Sequence, residues 1–158
     1  MNPDIARVAL VAWASPCSLV GLVLAGGVLL CGGRARRNGG TLEICLHRGM
    51  SAQGWLLRAL PFRAITLGHV IVAATPQELD RLRAHELVHV RQYERWGPVF
   101  FFAYAASSLW QLLRGRRAYW DNHFEVQARE RHTGKQLEVK QDTILAMSAH
   151  TDHNEEKP

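Results

Sequence analysis

From Val8 to Gly33 the chain carries no charged residue. The run, VALVAWASPCSLVGLVLAGGVLLCGG, exceeds the roughly 20 residues that a helix needs to cross a bilayer. Apolar surface of that extent must be buried in a core or in lipid, and a chain of 158 residues builds one modest core. Pro16 and the glycines loosen such a helix, but transmembrane helices tolerate both because neighbouring groups satisfy the freed backbone. Residues 1–33 are therefore expected to enter a membrane. Asp4 and Arg7 nearly cancel ahead of the run, whereas Arg34, Arg36 and Arg37 follow it. The positive-inside rule then predicts a single pass through an inner or plasma membrane, with the carboxyl side in the cytoplasm. A cleaved signal peptide is the competing reading, with Arg7 as its basic start and a cut near Leu24-Ala25. The basic cluster behind the run favours an uncleaved anchor.

The remainder changes character. Residues 34–40, RARRNGG, read as a short basic linker. From Thr41, TLEICLHR alternates, with Leu42, Ile44 and Leu46 on one side and Glu43, Cys45 and His47 on the other, the period of a half-buried strand. WLLRALPF suits a strand or a helix. RAITLGHVIVAA, from Arg63 to Ala74, is rich in β-branched residues and reads as one strand. Thr75-Pro76-Gln77-Glu78 then combines an N-cap threonine, a first-turn proline and a glutamate three residues on. The helix it starts runs to Trp96, where Gly97-Pro98 stops it; Arg91 and Arg95 suit the negative end of its dipole. A second uncharged run, 98–113, is too short for a comfortable span. A further helix is expected over 118–132, with Phe124, Val126 and Ala128 as its apolar positions, followed by a polar tail from 134. Short strands followed by helices make an α+β domain over 41–133.

Composition excludes some functions. The net charge of +5 and a pI near 9.6 fit an anionic membrane surface or nucleic acid. The basic residues do not interleave with aromatic ones as a stacking platform requires, so no nucleic-acid partner is expected. Cys17, Cys31 and Cys45 are odd in number and widely spaced, which fits neither a disulfide framework nor a thiolate metal site.

Within the capped helix stands His85-Glu86-Leu87-Val88-His89. Residues i and i+4 share a helical face, so both imidazoles can point at one ion, with Glu86 in the neighbouring azimuth. Leu79, Leu82, Glu86, His89, Tyr93 and Trp96 share a face, which places the polar groups on the buried stripe. Three polar groups facing a core are costly unless something satisfies them, and a metal would. A zinc site needs a third protein ligand and an open position for water. Downstream, His123, Glu125, Glu130 and His132 all qualify.

HELVH followed by NHFEVQARE resembles the gluzincin branch of the HExxH zinc metallopeptidases, over roughly residues 63–130. The resemblance implies a zincin-like fold, one zinc ion per chain, and a third ligand within an E-x-x-A pattern, which Glu125-Val126-Gln127-Ala128 matches. It thereby implies His85, His89 and Glu125 as ligands and Glu86 as the general base. Where that pattern usually continues with aspartate this chain has Arg129, so Asp121, Asn122 or Glu130 would have to orient the imidazoles. Tyr119, His123 and Arg129 are the candidate donors for an oxyanion. The resemblance also puts the strand before the helix beside a bound peptide, with His69 either in that cleft or an ordinary strand residue. A membrane-anchored zinc metalloendopeptidase acting on peptides or proteins is the implied function. An inactive zinc-binding sensor or interaction protein at the bilayer is the alternative. Either requires residues 98–113 not to span, because a full crossing would part His89 from Glu125.

Overall fold

A computed structural model describes residues 3–46 and 63–134, together with 137 and 141. The stretch WLLRALPF and nearly all of the polar tail lie outside the described residues. Helix α1 covers Pro3–Leu30, and its Ile5–Leu30 portion is long and apolar enough to cross a membrane. Pro16 lies inside it without ending it. Proline lacks the N–H that would reach the carbonyl of Ala12, and the Ser15 hydroxyl donates to that carbonyl instead, at 2.7 Å. Ala14, Cys17, Gly21, Ala25 and Val28 are buried along one seam of α1, spaced three or four residues apart.

Four strands follow: β1 (Arg34–Asn38), β2 (Thr41–Cys45), β3 (Ala64–Leu67) and β4 (Val70–Ala73). They form a mixed sheet in the order β1-β2-β4-β3, antiparallel at both outer pairs and parallel between β2 and β4. Two sequence expectations are corrected here. Residues 34–38 are a strand rather than a linker, because Arg36 lies opposite Glu43 and pairs with it at 2.9 Å. The run 63–74 is a hairpin rather than one strand. It turns at Gly68-His69, where Gly68 takes φ 62° and His69 stays at negative φ, the pattern of a type II′ hairpin turn. β-branched richness reported strand propensity faithfully but could not show one glycine folding the run back.

The sheet is covered on both faces. Val70 and Val72, with Ile44 and Leu46, pack on Ala25 and Val28 of α1. Ile71 and Ala73 pack on Leu79 and Val90 of helix α2 (Pro76–Trp96). This explains why β4 is apolar at every position. Helix α2 begins as its sequence dictates, with Glu78 N–H donating to the Thr75 hydroxyl at 3.2 Å. Gly97 ends it, its N–H bonded to the Tyr93 carbonyl. On the expected buried face Leu82 is half-buried and Trp96 exposed.

Helix α3 (Val99–Leu113) folds back from α2, and α4 occupies residues 123–134. Helix α4 starts later than the pattern suggested because Asn122 caps it. Its Oδ1 accepts from the Phe124 N–H at 2.9 Å, while its amide nitrogen donates to the Tyr104 carbonyl and the Ser108 hydroxyl of α3. Ala14 and Cys17 of α1 join Tyr93, Phe100 and Phe124 in a cluster where α1, α2, α3 and α4 meet.

Candidate metal centre

One turn of α2 separates His85 from His89, and both rings are buried on the side facing α4. Their Nε2 atoms lie 3.1 Å apart. Glu125, in the first turn of α4, enters from across the interface: its Oε2 is 3.3 Å from His85 Nε2 and its Oε1 3.4 Å from His89 Nε2. One ligand atom from each of the three residues falls within 4.8 Å of the others.

The neighbours of this trio fix its chemistry. The Gln92 amide nitrogen donates to the Phe124 carbonyl and to Gln127 Oε1, so its oxygen faces His89 Nδ1 at 2.8 Å. An acceptor there requires a proton on Nδ1, which leaves the Nε2 lone pair of neutral His89 aimed into the cluster. The Tyr104 hydroxyl donates to Glu125 Oε1 at 2.9 Å. Glu125 Oε2 is buried and has no hydrogen-bond partner. A buried carboxylate oxygen without a donor is costly, and this one stands beside His85 Nε2, with His89 Nε2 next to the other oxygen. Two imidazole nitrogens and one carboxylate oxygen converging this way are a donor set for a cation, so His85, His89 and Glu125 could together bind a metal ion.

Glu86 projects toward the sheet, where its Oε2 accepts from the Thr66 hydroxyl of β3 at 2.7 Å. Burial pushes its pKa up and outweighs the Thr66 hydrogen bond and the two imidazoles, which pull it down. For His89 burial works downward, yet the Glu125 carboxylate beside it raises the pKa overall. Burial would raise Glu125, but the His85 and His89 rings and the Tyr104 hydroxyl hold it well below the usual carboxylate range.

Of the residues expected to support the site, the structure sorts some in and some out. Tyr119 borders it: burial, and then the Glu125 charge, push its pKa up to about 12. Arg129 also borders it, with its guanidinium 4.0 Å from Glu125 Oε2 and stacked over Trp120. Asp121 instead accepts the Arg117 N–H and holds a local turn. Asn122 is the helix cap. His123 is exposed with its ring against Phe124, and Glu130 is exposed. Neither they nor His132 join the trio. The orienting groups are Gln92, Tyr104 and Thr66, none of them singled out from sequence. Gln92 was within reach, since it follows His89 by three residues on the same face. Tyr104 sat unremarked in an apolar run. His69 lies in the hairpin turn, between Ser18 and Glu94 (3.2 Å), away from the trio. The ligand helices meet directly, so α3 does not part His89 from Glu125.

Over residues 39–97 the chain is similar to a family described as the eCIS core domain. The match begins in the β1–β2 turn and ends at the glycine that closes α2. It therefore includes His85, Glu86, His89, Thr66 and Gln92 and stops short of Tyr104 and Glu125. No curated protein and no solved structure matches the chain.

Proposed function

We propose that the protein is a membrane-bound zinc metalloendopeptidase with a zincin-like catalytic core. The observation that carries this reading is the buried Glu125 carboxylate set against the His85 and His89 nitrogens, its Oε2 without a donor, with Glu86 adjoining on α2. His85, His89 and Glu125 would hold the ion. A zinc ion bound there supplies Lewis acidity, which acidifies water and polarises a carbonyl. Glu86 would take the proton from the attacking water and deliver it to the leaving amine. Arg129 and Tyr119, on the Glu125 side, are the donors for the developing oxyanion. Among the described residues β3 is an edge strand of the sheet, and Thr66 on it touches Glu86. A peptide pairing along that edge would bring its carbonyl beside Glu86. The long apolar helix holds this machinery at a membrane.

Metal analysis of the purified chain should give one zinc per chain, lost in His85→Ala. Glu86→Gln should keep the metal while peptide hydrolysis falls by at least about a hundredfold. A variant that still cleaved would sink the base assignment. A parent that binds zinc and cleaves nothing would be the sensor or interaction protein instead.

A further inference from the structure

The packing of α1 conflicts with a helix that crosses a bilayer end to end. Near its start, the Arg7 guanidinium lies against Gly40, 3.0 Å from where a Cβ would stand. Arg7, Val11, Arg37 and Asn38 also line one cavity of about 550 Å3. Near its end, Ala25 and Val28 pack on Ile44 and Leu46. Between these points Gly21 meets the hairpin so closely that a Cβ would lie 2.7 Å from that of Val70. The Ser18 hydroxyl accepts the His69 N–H at 3.0 Å. The sheet thus runs beside α1 over nearly its whole length. An α1 standing upright in the bilayer would carry β1 into the hydrocarbon, with exposed Arg34, Arg36 and Arg37 and a strand edge unpaired among the described residues. Lipid tolerates neither.

The opposite side of α1 is bare. Only 22 % of its most apolar window is buried, too little for the core helix of a soluble protein, and Leu19, Val20 and Val23 face outward. Helix α3 does the same with Phe102, Leu109 and Leu113. Ala14 and Cys17 of α1 and Phe100 of α3 share one cluster with Tyr93 of α2, which brings the two helices together at that point. At the far end of α3 the Arg114 guanidinium lies 4.4 Å over the Trp110 ring, and Arg116, Arg117, Tyr119 and Trp120 follow, all exposed. Mixed aromatic and basic side chains at the border of an apolar face suit the headgroup layer, and their charge complements anionic lipid.

We infer that α1 and α3 lie together in one leaflet, with α1 in the membrane plane, so that the protein binds an anionic bilayer from one side. This rests on the membrane half of the proposed function and is independent of the metal chemistry. Single cysteines are placed at the two ends of α1, as Arg7→Cys or Arg34→Cys, with Cys17, Cys31 and Cys45 replaced by alanine. In sealed inside-out vesicles from expressing cells, a membrane-impermeant maleimide should label both equally. Labelling of one alone until detergent is added means a crossing and overturns the inference. Purified full-length Phe102→Glu/Leu113→Glu should keep the parent's circular dichroism and zinc content. Its partition into phosphatidylcholine–phosphatidylglycerol vesicles should fall by at least about tenfold; unchanged partition removes α3 from the contact. A parent that ignores such vesicles and forms soluble dimers hides these faces against a second copy, which also overturns the inference.

Discussion

Among the glutamates buried in this small domain, Glu43 and Glu125 have opposite surroundings. Glu43, on β2, accepts from Arg36, Arg83 and Asn38 through both of its oxygens. Glu125 has a single hydroxyl donor, two imidazoles at the edge of hydrogen-bond reach, and one oxygen with no donor. Guanidinium groups stay charged at any ordinary pH, so the charge of Glu43 is permanently balanced and its lone pairs are filled. Imidazoles do not hold their charge, and a carboxylate left to them is poised for another cation. A buried carboxylate that closes a structure and one that could bind a cation can therefore be told apart by what fills their lone pairs.

The sharpest way to break this contrast is to remove each carboxylate. Glu125→Ala should abolish stoichiometric zinc binding, read by metal analysis, because only two ligands remain. Glu43→Ala should keep one zinc per folded chain but lower stability by about 3 kcal/mol in denaturant unfolding. That is near the low end for a broken buried pair, since Arg36 reaches solvent and can rehydrate. Zinc loss in Glu43→Ala at full foldedness would show that the two carboxylates are not separate in role.

Acidity sharpens the contrast next. Without metal, the raised pKa values of His89 and Glu86 mean that the folded state holds protons the unfolded chain releases. Their contribution is fully present below the unfolded values, 4.5 for Glu86 and 6.5 for His89, and is lost as pH rises through the folded ones. Glu125 has the opposite sign, with stability that is lost only as pH falls below 4.5. Chelator-treated protein should thus lose stability as pH rises from about 5 upward. Metal-loaded protein should gain over the same range, because ligation needs deprotonated imidazoles. Melting curves with and without chelator that run parallel across this range would separate the trio from metal binding.

Gln92 tests the surroundings rather than the ligands. It holds the proton on His89 Nδ1 and ties α2 to α4 through Phe124 and Gln127. Gln92→Ala should weaken zinc affinity by about 10–100-fold without removing it, measured by competition with a chelator. Gln92→Glu, which keeps the acceptor, should recover most of the loss.

Much of the site was legible because it is local. The spacing of His85, Glu86 and His89, the Thr75 cap and the Gly97 stop are each written within one turn of helix. Glu125 was reached through a motif match, and its distance from His89 in sequence left its place in space open until the α2–α3–α4 packing settled it. The errors have a common cause. Residues 34–38 looked like a linker because arginines in a row read as solvated, yet Arg36 is recruited by Glu43, and nothing local announces such a cross-strand partner. The hairpin was missed because Gly68 is one residue among twelve of strand character.

The smallest effect expected is at Tyr104, and it isolates the oxygen that does have a donor. Tyr104→Phe removes one hydrogen bond to Glu125 Oε1 and little volume. Without metal, that oxygen becomes a second buried acceptor lacking a hydroxyl partner, at a cost of about 1–3 kcal/mol. With zinc bound, the carboxylate gains a cation and the missing hydroxyl should matter less. The difference in unfolding free energy between Tyr104→Phe and parent should therefore shrink when zinc is added. At Glu43, whose partners are arginines, zinc should leave the cost of losing a donor unchanged, so Asn38→Ala serves as the control. A Tyr104→Phe penalty that is the same with and without zinc would mean that Glu125 does not change partners, and the distinction between the two glutamates would then be one of packing alone.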